Sequence, residues 1–312
     1  MFLPLSTYRV DCILADVARE QVALAVGVVC VSFAALFIRL ADAPPLVIAA
    51  WRLGLASVVI APFVFTRPEV HVPRPAWRET FLMMAAGAFL AIHFAAWITS
   101  LEYTSVATSV VLVTASPIFV SIASLLFFRQ RLHKIILTGI AMSVAGGVLI
   151  SAQNWQLGSR PFEGALLAIG GALAVSGYLI IGQRLMRVTG VLRYVFVVYG
   201  TAAILLLLAA LILGYSFIGY SGKTYAMMVL LALGPQLVGH SALNWSLRSV
   251  SATLVAVAVL GEPVGATLWA FLILGEVPSI VELAGGALIL TGIFLAMTAG
   301  LPRSQSSKTD RL

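Results

Sequence analysis

Glu262 stands in the middle of a long apolar run, directly before Pro263. A carboxylate at membrane depth costs at least about 2.5–3.5 kcal/mol on insertion scales, so it must face a protein interior and either pair or stay protonated. That makes Glu262 a candidate for proton coupling, and a packing residue bonded to a neighbouring helix is the plainer reading. Pro263 and Pro117 both fall near the middle of apolar runs. A proline there removes one backbone hydrogen bond and clashes with the preceding turn, which frees carbonyls and provides a hinge point or a packing kink.

Two further runs carry polar or aromatic residues every four positions. Gln236, His240 and Asn244 share one helical face, as do Phe89, His93 and Trp97. Such stripes suit a ligand cavity, with the aromatics as its apolar wall and the amides and imidazoles as its hydrogen-bonding groups. They also suit interhelical bonding, worth about 0.6 kcal/mol per contact in membranes. Arg52 is a lone cation inside a run, near enough to its outer end to snorkel, and its guanidinium forms a fork that matches a carboxylate. Its partner is either a substrate or a protein carboxylate such as Asp42 or Glu102. Trp51, Tyr178 and Tyr199 are aromatic candidates for the same cavity or for ordinary packing.

These residues must be positioned by membrane helices. The 312 residues are 61% hydrophobic and only 10% charged, against about 45–50% and about 25% in soluble domains. Apolar runs near 19–38, 45–65, 79–101, 104–128 and 133–151, then 163–182, 193–214, 224–245, 250–273 and 279–299, are each long enough to span a bilayer as a helix. They lack the period-two alternation of barrel strands. The expected fold is an all-α integral membrane bundle of ten transmembrane helices.

With the N-terminus inside, fifteen of the nineteen Lys and Arg residues fall on the inner side, and Arg39, Arg160 and Lys223 fall outside. The positive-inside rule then predicts a multi-pass protein of the cell (inner) membrane with both termini cytoplasmic. The net charge of +7 is therefore topological, and its scatter over short loops argues against nucleic-acid binding. Residues 1–18 read as a cytoplasmic leader, and the two cysteines make no disulfide framework.

Residues 101–150 align without gaps onto 247–296 at a constant offset of 146. Ser105 coincides with Ser251, Pro117 with Pro263, Gly139 with Gly285 and Gly146 with Gly292. The expected organisation is a leader (1–18), a first five-helix repeat (19–151), a linker (152–162), a second five-helix repeat (163–299) and a cytoplasmic tail (300–312). Five is odd, so the second repeat crosses the membrane in the opposite sense. Inverted repeats accompany alternating-access transporters, with the site at the midplane between them. His93 and His240 then lie at nearly equivalent positions on either side of that midplane. Small residues at four-residue spacing, Gly139, Ser143 and Gly147 in span five and Gly164, Ala168, Ala172 and Ser176 in span six, predict close packing within the bundle or a homodimer interface.

The 5+5 layout, Pro45 followed by Arg52, the turns Ser116-Pro117 and Gly261-Glu262-Pro263, and the ending Gly275-Glu276 of span nine carry a family resemblance. The chain resembles the EamA-type carriers of the drug/metabolite transporter superfamily over residues 19–299. Where the family has Gly-Glu after its fourth span, this chain has Arg129-Gln130. The resemblance implies a helix bundle with a central cavity that moves amino acids or related metabolites, with export as the expected direction.

The sequence contains no His-Glu-x-x-His, no Gly-x-Ser-x-Gly and no phosphate-binding loop, so neither an enzyme nor ATP coupling is expected, nor a metal or cofactor. The expected partners are a small-molecule substrate and membrane lipid. A receptor or scaffold that binds a ligand without flux is the alternative to a carrier.

Overall fold

The computed structural model describes residues 19–66, 75–128, 132–152, 158–186, 188–275 and 277–300. The leader, the tail, Arg129-Gln130, Glu276 and many of the loop cations used in the charge argument lie outside these residues. Ten helices are long and apolar enough to cross a membrane: α1 (Arg19–Leu40), α2 (Pro45–Thr66), α3 (Trp77–Tyr103), α4 (Val106–Phe127), α5 (Lys134–Ser151), α6 (Pro161–Leu185), α7 (Val191–Ile212), α8 (Gly222–Ser246), α9 (Ala252–Ile273) and α10 (Ile280–Ala299). The fold is the expected all-α membrane bundle, with no strand among the described residues.

The halves interlock. α5 packs on α10, α3 on α6 and α7, and α2 on α7. The α5–α10 crossing depends on glycine. A Cβ at Gly139 would lie 2.5 Å from the Gly292 carbonyl oxygen, and one at Gly285 would lie 2.6 Å from that of Gly146. The shift of 146 residues turns the first of these contacts into the second. Ser143 Oγ donates at 3.1 Å to the carbonyl of Ile289, its own counterpart under that shift. Contacts that exchange in this way are isologous. The glycine pairs run in opposite chain directions, which fits a twofold axis relating inverted halves. The small-residue face of α5 is therefore occupied inside the bundle, and Gly164 of α6 likewise sits against Thr104.

Spans four and nine are each two helical segments. α4 runs Val106–Val113 and Ser116–Phe128, and α9 begins as Ala252–Val259 and continues as Glu262–Trp269. A proline ring clashes with the carbonyl four residues earlier, and Val113 and Val259 stand four before Pro117 and Pro263. Each span opens with an equivalent cap: Ser105 Oγ accepts from Thr108 N at 3.1 Å, and Ser251 Oγ from Leu254 N at 3.3 Å. At the far end of α9, Gly275 at φ 72° supplies the left-handed residue that stops the helix.

Candidate functional site

The two proline turns meet at a narrow central cavity of about 40 Å³, lined by residues of both halves. Val113 and Val259 line it, as do Ser116 and Glu262, and both pairs are related by the shift of 146. Val31 of α1 and Val175 of α6 face it from opposite sides, and His93 and His240 from α3 and α8. The cavity is thus lined by residues related by the shift of 146, as a twofold relation between the halves would have it.

Arg52 is 0% exposed and does not snorkel. Its Nε donates at 2.8 Å to Gln236 Oε1, and its guanidinium carbon lies 4.1 Å from the centre of the Phe94 ring. Neither Asp42 nor Glu102 is its partner: Asp42 is exposed in the connection after α1 and Glu102 is exposed in the last turn of α3, whereas Arg52 is buried in the bundle. The two terminal nitrogens of Arg52 have no hydrogen-bond partner. Glu262 is 6% exposed and lines the same cavity.

His93 is fixed by α6: its Nδ1 donates at 2.9 Å to the Gly171 carbonyl, which leaves Nε2 as its acceptor. Trp97 stacks on it with ring centroids 5.9 Å apart, and both line the cavity. Phe89 does not join them. It is 39% exposed and lies against Gly177 on the outer side of α3, because each four-residue step turns about 40° past a full helical turn.

The polar stripe of α8 also separates. Residues Ala232–His240 form a π-helical segment around Pro235, with bonds from i to i+5 rather than i+4. The segment ends at His240, Asn244 follows in the α-helical stretch Ser241–Ser246, and of the three only His240 lines the cavity. Gln236 and Asn244 are 0% exposed and act behind it. Gln236 holds Arg52, while Asn244 Nδ2 donates to the His240 carbonyl at 2.8 Å and to Tyr199 Oη at 3.4 Å. Thr114, Tyr178 and Leu179 complete the wall. Thr114 carried no sequence signal, since a hydroxyl in an apolar run reads equally well as a bond to its own helix, which it also makes with Val110 O at 2.8 Å.

The two ends of the bundle differ. Beside the cavity, separated from it by Ala34-Ala35 and Glu262-Pro263, lies a vestibule of about 620 Å³ lined by Arg39, Ser105, Val106, Ala266, Thr267 and Glu282 among others. It lies at the end of the bundle that holds Leu40 and Tyr103. At the opposite end the equivalent elements are packed shut: Ala252, Val255 and Ala256 are 0% exposed, Leu185 is 2% exposed, and Gln183 Oε1 accepts from Ala252 N at 2.8 Å.

The model of the EamA-like transporter family matches residues 19–152 and again 162–298. An uncharacterized transporter of Archaeoglobus fulgidus is 24% identical over 85% of this chain and 91% of its own length. A probable terminal-alkyne amino-acid exporter of Streptantibioticus cattleyicolor is 25% identical over 83% of this chain and 86% of its own. A crystal structure with 20% sequence identity superposes with a TM-score of 0.76, covering 92% of this chain and 99% of that one, a likeness of fold. With the family model matching twice, once in each half, the chain belongs to the EamA-like transporter family.

Proposed function

We propose that the protein is a secondary-active carrier that moves a small metabolite, an amino acid or a related compound, across the cell membrane by alternating access, in the direction of export. The observation that carries this reading is the asymmetry of a pseudo-symmetric bundle. One buried cavity, mostly apolar with a few polar groups, is lined by both halves, with an open vestibule on one side and a packed, hydrogen-bonded end on the other. Exchanging the conformations of the two halves would exchange the open and closed ends, which is how inverted repeats alternate access. The halves in this motion are residues 19–151 and 163–299, with the breaks before Pro117 and Pro263 as hinges. The positive-inside rule puts both termini in the cytoplasm, so the vestibule faces outward. The relative described as an amino-acid exporter supports both substrate class and direction.

The substrate contacts are Arg52, His93, Trp97 and His240, with Gln236 and Asn244 orienting them. Glu262 is the coupling carboxylate, since it is the acidic residue lining the cavity and sits on a hinge. Purified protein in liposomes should exchange labelled amino acids across the bilayer. Saturable binding without any flux would identify a receptor and defeat the carrier reading. Glu262→Gln should abolish accumulation driven by a pH gradient yet keep exchange, and an unaltered pH response would return Glu262 to a packing role.

A further inference from the structure

We infer that the cavity selects ligands by a carboxylate, which docks on the terminal nitrogens of Arg52. This rests on the carrier reading for the site's use, but the recognition chemistry has its own grounds. Arg52 has five N–H donors and no acceptor. One of them is used, by Gln236 Oε1 at 2.8 Å. The Nη1 and Nη2 atoms are buried without a hydrogen-bond partner, in a side chain that is 0% exposed. The charge of Glu262, also on the wall, acts on this guanidinium electrostatically but leaves its terminal N–H groups without a hydrogen bond, and buried donors in that state are unfavourable unless the cavity contents bond to them.

The other unsatisfied buried groups on this wall are of the same kind. Trp97 Nε1 and the Tyr178 hydroxyl have no partner either. Both can donate, and the indole can do nothing else. The wall also carries acceptors, the Glu262 carboxylate and His93 Nε2, but the buried wall atoms left without a partner are donors, and these suit an acceptor on the ligand. Arg52 is also held rigidly. Gln236 fixes Nε, and the Phe94 ring lies under the guanidinium plane, leaving the Nη edge as the free edge of the fork. That edge matches the two oxygens of one carboxylate. The remaining wall, with Val31, Ala34, Val113, Leu243 and Val259, is apolar, so the body of the ligand is a short aliphatic group. At about 40 Å³ the cavity in this conformation holds only a few water-sized groups.

The test uses probes that keep the carbon skeleton and change the head group: propionate against propionamide, and alanine against alaninamide. Binding is measured by calorimetry on the purified full chain, with thermal shift as a second readout. Each acid should bind at least about tenfold more tightly than its amide, because charge-assisted bonds to a fork outweigh neutral ones. Arg52→Lys keeps the charge but loses the fork and the bond to Gln236, and in protein that still folds it should shrink that ratio severalfold. Equal binding of acid and amide to the wild-type protein would overturn the inference whatever the variant does. So would binding of none of the four probes at millimolar concentration, or a folded Arg52→Lys protein that keeps the full ratio. Exchange in liposomes separates this inference from the carrier reading. Flux of alaninamide but not alanine leaves a carrier and removes the carboxylate rule. Tight carboxylate binding with no flux removes the carrier and leaves the rule.

Discussion

Gln183→Ala tests whether the packed end is a gate. Gln183 Oε1 accepts from the backbone N–H of Ala252, the first residue of α9, at 2.8 Å. The first N–H groups of a helix have no partner within the helix, and Ala252 is 0% exposed, so no solvent can replace the amide oxygen while the end is shut. Leaving a buried donor unsatisfied costs about 1–3 kcal/mol. That cost falls on the sealed state alone, because opening would admit water to the same N–H. The equilibrium should then move toward opening at this end by about 5- to 150-fold.

The assay is the labelling rate of a cysteine placed at Thr253, which is 3% exposed in the sealed state, after Cys12 and Cys30 are replaced. A membrane-impermeant maleimide applied to the face on which Gln183 lies should react faster by that factor in the Gln183→Ala background. Gln183→Glu retains an acceptor at a helix N-terminus and should hold the rate near the parent's. A change of less than about twofold in the alanine variant would show that this hydrogen bond contributes nothing to the seal, since even the low end of the cost predicts more.

Three further outcomes follow from the packing. Gly146→Leu places a side chain against the Gly285 backbone where not even a Cβ fits, so α5 and α10 must separate, and the melting temperature in detergent should fall by the equivalent of about 1–3 kcal/mol or more; an unchanged melting temperature would contradict the crossing. Asn244→Ala removes the bonds to His240 O and Tyr199 Oη without touching the cavity wall, so it should lower stability by about 0.6–1.7 kcal/mol, read by thermal unfolding in detergent, whereas a large loss of affinity with full stability would place Asn244 in direct contact with the ligand. Trp97→Ala should do the opposite, weakening ligand binding by about tenfold or more through loss of the ring stacked on His93, and calorimetry with wild-type affinity would remove Trp97 from the site.

Read alone, the chain already specifies ten membrane helices, because apolar run length answers directly to bilayer thickness. It also specifies the helix breaks: Pro117 and Pro263 interrupt their spans four residues upstream, at Val113 and Val259, for a steric reason carried entirely by the backbone. The repeat offset of 146 marks the glycines that meet at the α5–α10 crossing, since only residues of that size permit the approach. Helical periodicity could not decide which polar residues face the cavity. In α8 Gln236 bonds to Arg52 and Asn244 to Tyr199 while His240 alone of the three lines the cavity, and in α3 the drift of four-residue steps turns Phe89 outward. The burial of Arg52 against Phe94 and Gln236, and the closing of one end by Gln183, are contacts between residues 42 to 184 positions apart. Such pairings depend on how separate helices dock, within a half for Arg52 with Phe94 and Gln183 with Ala252 and between the halves for Arg52 with Gln236, and a local pattern along one helix holds no record of the helix that will lie against it.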